Sequence, residues 1–174
     1  MRPERKRSPQ KSPLARRAEK PPRRVLVFGI GNPGREDDGL GARAVELVAA
    51  LRLPGVTCDA NYQLNVEDAL TCSAHDVVIF VDAAGRIRAP FTWRPVTAGA
   101  AVPAMTHALG PEAVLTVCAG LYGRKPEAHV LGIRGDRFGV GEGLSPRAEG
   151  NLREAVGFLQ KFLARKAPMK GPAA

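Results

Sequence analysis

Three polar side chains in separate parts of the chain have the types needed to bind a metal ion together. Asp38 ends an acidic run, Asp82 ends an apolar run, and His107 lies in a mid-chain segment. Two carboxylates and an imidazole, with coordination positions left open, suit a divalent transition metal that also binds a substrate group. Asp38 or Asp82 could instead act as a general base that activates water. Either chemistry requires the fold to bring these residues together.

The hydrophobic pattern predicts the elements that would position them. Short apolar runs predict buried strands, and apolar residues at spacings of three and four predict helices. The run at 91–96 contains Pro95, which favours an edge strand. Ser145 and Pro146 suit the start of the last helix. The predicted strands are 25–29, 56–60, 76–84, 91–96 and 129–135, and the predicted helices are 40–51, 65–70, 111–122 and 146–163.

This alternation predicts an α/β fold with three layers (α/β/α). The sheet is expected to be open, twisted and mostly parallel, with helices on both faces. In such sheets ligands bind beyond the carboxyl ends of the strands. Asp82 ends a strand, Asp38 follows one, and His107 precedes a helix, so all three are expected at this edge.

The distribution of charge predicts one folded domain between two tails. Residues 1–24 hold ten Lys and Arg against two Glu, which accounts for +8 of the net charge of +9. We expect a disordered basic tail at 1–24, a single α/β domain at 25–164 and a flexible C-terminal tail at 165–174. A nucleic-acid-binding fold would carry its basic charge on the folded part, so nucleic acid is not an expected partner. No apolar run is long enough to cross a membrane.

The cysteines and serines offer no alternative catalytic centre. Cys58, Cys72 and Cys118 are scattered and form no CxxC pair, which predicts free thiols in a reducing cytoplasm rather than a zinc site. Ser73 and Ser145 have no suitable histidine neighbour in a motif, and Cys118 falls on the apolar side of a helix. The sequence therefore supports neither a serine nor a cysteine nucleophile.

The glycine-rich loop after the first strand permits two other interpretations. Gly29 to Gly34 reads GIGNPG and matches GxGxxG, and Asp59 could bind a ribose, as in dinucleotide-binding folds. However, the acidic run Arg-Glu-Asp-Asp at 35–38 would repel a pyrophosphate. The same loop resembles the opening of peptidyl-tRNA hydrolase, an esterase. That family has a catalytic histidine soon afterwards, and this chain has none there.

A longer set of motifs resembles the [NiFe]-hydrogenase maturation proteases. It comprises G-I-G-N-P-x-R-x-D-D-G-x-G from Gly29 to Gly41, V-D-A at 81–83, the loop residue His107, G-I-R-G at 132–135 and G-L-S-P at 143–146. The resemblance spans about residues 25–163. It implies a cytoplasmic, aspartyl-type endopeptidase with a phosphorylase/hydrolase-like fold, in which a twisted sheet lies between helices. Carried over by position, its metal-binding residues are Asp38, Asp82 and His107, where some members have Glu in place of Asp38.

The resemblance also implies a substrate and a partner. These enzymes remove a C-terminal extension from the hydrogenase large-subunit precursor once nickel has been inserted. Nickel would thus be supplied by the precursor, although the isolated protein could hold another divalent metal, and we expect a monomer. Residues 59–64 depart from the Asp-Gly-Gly-Thr stretch of many members, which leaves open the precursor that is served. A non-catalytic factor that binds nickel-loaded precursor is the remaining alternative.

Overall fold

The computed structural model describes residues 23–99 and 109–166, which form a sheet of five strands covered by four helices. A 3-10 turn at Glu36–Gly39 precedes the first helix. In chain order the elements are β1 (Val25–Ile30), α1 (Leu40–Ala50), β2 (Val56–Asn61), α2 (Asp68–Ser73), β3 (Val77–Ala84), β4 (Phe91–Val96), α3 (Pro111–Tyr122), β5 (Glu127–Arg134) and α4 (Pro146–Lys166).

The sheet is mixed but mostly parallel. Its strand order is β2-β1-β3-β5-β4, and only β4 runs antiparallel to its neighbour. Pro95 therefore lies on an edge strand, as its missing N–H requires. The chain leaves β1 towards β2 and then returns to the other side of β1 as β3. The carboxyl ends of β1 and β3 thus form the switch point of the topology, where open α/β sheets bind ligands.

Alternation along the strands separates two apolar cores. In β3, Val77, Ile79 and Val81 pack in the core on the α1 and α4 face, whereas Val78 and Phe80 pack in the core beneath α2 and α3. All five side chains are fully buried. The predicted three-layer α/β/α fold is confirmed. No helix in the described ranges is long and apolar enough to cross a membrane.

Several elements begin or end away from their predicted limits. The second α-helix starts at Asp68 rather than near Asn65, because the preceding turn is closed by hydrogen bonds over three residues, from Asp68 N–H to the Asn65 carbonyl and from Ala69 N–H to the Val66 carbonyl. Strand β5 starts at Glu127, and α4 extends to Lys166, beyond the predicted domain limit at 164. These two ends meet, since Lys166 Nζ donates to both carboxylate oxygens of Glu127. Residues 1–22 and 167–174 lie outside the described ranges.

The histidines away from the predicted site are structural. His75 is buried, and its ring hydrogen-bonds with the carbonyl group of Thr71. His129, expected at a strand end, lies within β5, where its ring stacks on Trp93 at 4.5 Å. Trp93 also contacts Phe158 and Phe162 of α4, so it packs in the fold rather than lining a groove. The three cysteines are free, as predicted.

Candidate active site

Two of the three predicted site residues, Asp38 and Asp82, lie at the switch point. Gly29 of β1 pairs with Val81 of β3, so Asp82 comes just beyond the end of that pairing. Asp38 closes the loop that follows β1. Burial raises the pKa of Asp82, the negative charge of Asp38 raises it further, and the backbone N–H of Ala83 lowers it, with a result of about 6. The two carboxylates are therefore close enough to repel each other.

Glycines allow the loop and the helix to approach the strand ends this closely. Gly31 has a φ of 125°, and a Cβ there would collide with the carbonyl oxygen of Asp38. A Cβ at Gly41 would collide with the carbonyl oxygens of Ile30 and Val81, the last residues before the switch point on β1 and β3. The loop position that carries Asp38 therefore requires glycine on both sides.

Asn32 holds the side chain of Asp38 in place. Its backbone N–H donates to Asp38 Oδ2 at 2.8 Å. Its own side-chain oxygen accepts from the N–H of Gly34 at 2.9 Å and fixes the turn through Pro33. This positioning role of Asn32 is not among the roles predicted from the sequence. The Asn-Pro-Gly signature of a tight turn was the available signal.

The three consecutive acids of the loop have three different surroundings. Asp37 is fully buried and accepts hydrogen bonds from the hydroxyl and backbone N–H of Ser145 and from the backbone N–H groups of Asp136 and Arg137. Burial raises the pKa of Asp37, but these four hydrogen bonds outweigh burial and hold the pKa below its usual value. Glu36 accepts from Gly139 N–H at 2.9 Å. Asp37 and Glu36 therefore attach the loop to the β5–α4 connection. Asp38 is the acid of this loop whose charge acts on Asp82.

His107 lies outside the described residues, so its predicted place beside the two aspartates stays a prediction. The described chain resumes at Leu109, two positions further along the sequence. Leu109 N–H donates to the carbonyl of Leu64, which lies in the connection after the carboxyl end of β2.

The carboxylates of Asp38 and Asp82 are the kind of ligand that suits a divalent metal ion. In the described residues no group of three His, Cys, Asp or Glu side chains is placed to hold a metal ion. Two carboxylates that repel each other nevertheless favour a cation between them, and Asp38 has one oxygen held by Asn32 while the other is bonded to no residue of the described parts. Metal held by these two side chains would need further ligands from elsewhere.

Solved structures with this fold support the resemblance seen in the sequence. HycI, a [NiFe] hydrogenase maturation protease from Thermococcus kodakarensis KOD1, is 21% identical with a TM-score of 0.63, over 81% of this chain and 92% of that chain. HybD, a hydrogenase maturating endopeptidase from E. coli, is 24% identical with a TM-score of 0.60, over 82% and 93%. An endopeptidase from Escherichia coli is 25% identical with a TM-score of 0.62, over 82% and 93%.

No family model and no curated protein sequence matches the chain. The chain has the fold of hydrogenase maturation proteases, which are hydrolases of peptide bonds, and the resemblance is confirmed at that level.

Proposed function

We propose that the protein is an endopeptidase that removes a C-terminal extension from a nickel-loaded [NiFe]-hydrogenase large-subunit precursor. The observation that carries this proposal is the pairing of Asp38 and Asp82 at the switch point of a fold shared with hydrogenase maturation proteases. The motif that positions Asp38 is the part of the sequence that most resembles those enzymes.

Asp38 and Asp82 would have two tasks in this reaction. Together with His107 they would bind the nickel carried by the precursor, so that cleavage depends on nickel having been inserted. Hydrolysis also needs a water molecule that attacks the scissile carbonyl carbon and loses a proton, while the departing amine gains one. A carboxylate of the pair would accept the proton of the water. Burial of Asp82 supports this role, because a carboxylate with a raised pKa is a stronger base.

The test uses the purified protein and one precursor prepared both with and without nickel. We expect the mass of the nickel-loaded precursor to fall by that of its C-terminal peptide and the nickel-free precursor to remain intact. Cleavage of both forms would support the protease activity but would show that nickel is not the signal for cleavage. Cleavage of neither form, with several precursors tried, would contradict the proposed function.

The role of His107 needs a separate variant. His107→Ala is expected to weaken binding of the nickel-loaded precursor and to leave binding of the nickel-free form unchanged, because only the metal contact is lost. His75→Ala is not a suitable control, since His75 is buried and bonds Thr71. His129 is likewise packed in the fold. His107→Gln therefore serves as the control, because it keeps a side chain of similar size. It should weaken binding of the nickel-loaded precursor as His107→Ala does.

A further inference from the structure

Two cavities flank the aspartate pair at the carboxyl edge of the sheet. The first has a volume of about 250 Å³ and is lined by Gly31, Pro33, Ala42, Ala60, Asn61 and Tyr62. The second, of about 330 Å³, lies beyond β3 and β5, and Arg86, Arg134, Asp136 and Phe138 are among its lining residues. The two cavities share no lining residue, and the aspartates come between them.

The strand order fixes this arrangement in space. The first cavity lies beyond β2 and β1, the aspartate pair beyond β1 and β3, and the second cavity beyond β3 and β5. Neighbouring strands are about 4.8 Å apart, so the path from β2 to β5 covers about 14 Å. An extended peptide rises about 3.3 Å per residue and covers that path with about four residues. A peptide laid across this edge would therefore reach both cavities while its scissile bond lies at the aspartates.

The two cavities differ in charge. No charged side chain among the described residues lines the first cavity. In the second, Asp136 is already shared by two cations, because its carboxylate pairs with Arg134 at 3.2 Å and with Arg147 at 3.4 Å. Arg86 is exposed and forms no hydrogen bond or ion pair with any residue in 23–99 or 109–166.

The second cavity therefore offers a guanidinium that has no partner among the described residues, next to the proposed site of cleavage. A guanidinium binds a carboxylate through two parallel N–H groups, which fixes both the charge and the orientation of its partner. Arg134 cannot offer the same contact, since it donates to Asp136 and to the carbonyl of Arg88.

We infer that Arg86 selects the substrate by binding an acidic side chain of the precursor within about three residues of the scissile bond. This inference rests on the proposed function. The peptide crosses the carboxyl edge in extended form, with an uncharged residue in the first cavity and the acidic residue in the second. Arg86 acts on substrate binding and not on the chemical step.

The test is an exchange of charge between enzyme and substrate. A nickel-loaded large-subunit precursor is prepared with a single Asp or a single Lys at each of three positions on either side of the cleaved bond. At one of these positions, the wild-type protein should cleave the Asp form faster than any of the other forms. Arg86→Glu should slow cleavage of that form about five- to tenfold through a higher KM, and it should cleave the matching Lys form faster than the wild type does. Such a rescue also shows that the variant is folded.

Arg88→Glu is the matched control, because Arg88 is exposed, lies two residues away and does not line the cavity. We expect it to change the rates less than twofold. Equal slowing by both variants, or no preference for Asp at any position, would overturn the inference and leave the proposed function intact. Failure of the wild-type protein to cleave any precursor would overturn both.

Discussion

The pKa of the Asp82 carboxyl group is raised to about 6 because this side chain is partly buried near the end of β3 and, in addition, lies near the negative charge of Asp38. Asp38 belongs to the loop after β1, and the two residues meet only because β1 and β3 are neighbours in the sheet. The negative charges of the two carboxylates therefore repel each other, and a bound cation or proton would reduce this repulsion. Such an arrangement is typical of functional sites rather than of structural ones.

Gly31 is expected to be essential to the placement of Asp38. Its φ of 125° and its contact with the carbonyl of Asp38 exclude a Cβ. We expect Gly31→Ala to lower the free energy of unfolding by about 2–4 kcal/mol, measured by urea denaturation, and to slow precursor cleavage.

Gly120→Ala is the control for this substitution. Gly120 lies in α3, and a Cβ there would meet no atom within 4 Å. Because alanine favours a helix over glycine, this variant should be more stable by about 0.5–1 kcal/mol. Equal loss of stability in the two variants would contradict the role given to Gly31.

Asp37 is expected to stabilise the fold and to hold the loop that carries Asp38. Asp37→Asn leaves several N–H donors of the β5–α4 connection without a charged acceptor. We expect a loss of about 3 kcal/mol in the free energy of unfolding, since hydrogen bonds to a buried charge are among the stronger ones. Urea denaturation measures this loss. Glu154→Gln, which removes an exposed carboxylate from α4, should change stability by less than about 0.5 kcal/mol. A similar result for both would show that Asp37 is not a structural anchor.

Glu127 is expected to make stability depend on pH in acid. Burial raises the pKa of Glu127, but hydrogen bonds from Lys166, His129 and Arg23 outweigh burial and lower the pKa from 4.5 to about 2. A carboxylate with a lowered pKa in the folded state stabilises the protein above its unfolded pKa of 4.5. That contribution is lost as the pH falls from 4.5 towards 2. Urea midpoints across this range should fall more steeply for the wild type than for Glu127→Gln. Parallel curves would contradict this account.

Much of the fold can be predicted from the sequence, because apolar runs and the alternation of apolar and polar residues indicate which faces of a strand are buried. The apolar run Val77–Val81 predicts a strand with both faces covered, and its residues fill both cores. The shared location of Asp38 and Asp82 follows as well, since parallel strands end at the same edge.

The separate roles of Glu36, Asp37 and Asp38 could not be predicted in this way. In a 3-10 turn, which has three residues per turn, successive side chains point about 120° apart, so neighbours in sequence face different parts of the molecule. The identity of the buried acid depends on Asp136, Arg137 and Ser145, which lie about a hundred residues further along the chain. No local pattern reports such a contact. His107 was predicted at the site and stays a prediction, since it lies outside the described residues.

The most direct test of the central claim is the mass of a nickel-loaded precursor after incubation with the Asp38→Asn and Asp82→Asn variants. Glu154→Gln is the control, because Glu154 is an exposed carboxylate on α4 and lines neither cavity. We expect the wild type and Glu154→Gln to release the C-terminal peptide at similar rates. The other two variants should be slower by at least about 100-fold, because one of them loses the general base and both lose a carboxylate that would bind the nickel. Full cleavage by both Asp38→Asn and Asp82→Asn would contradict the assignment of the active site to this pair.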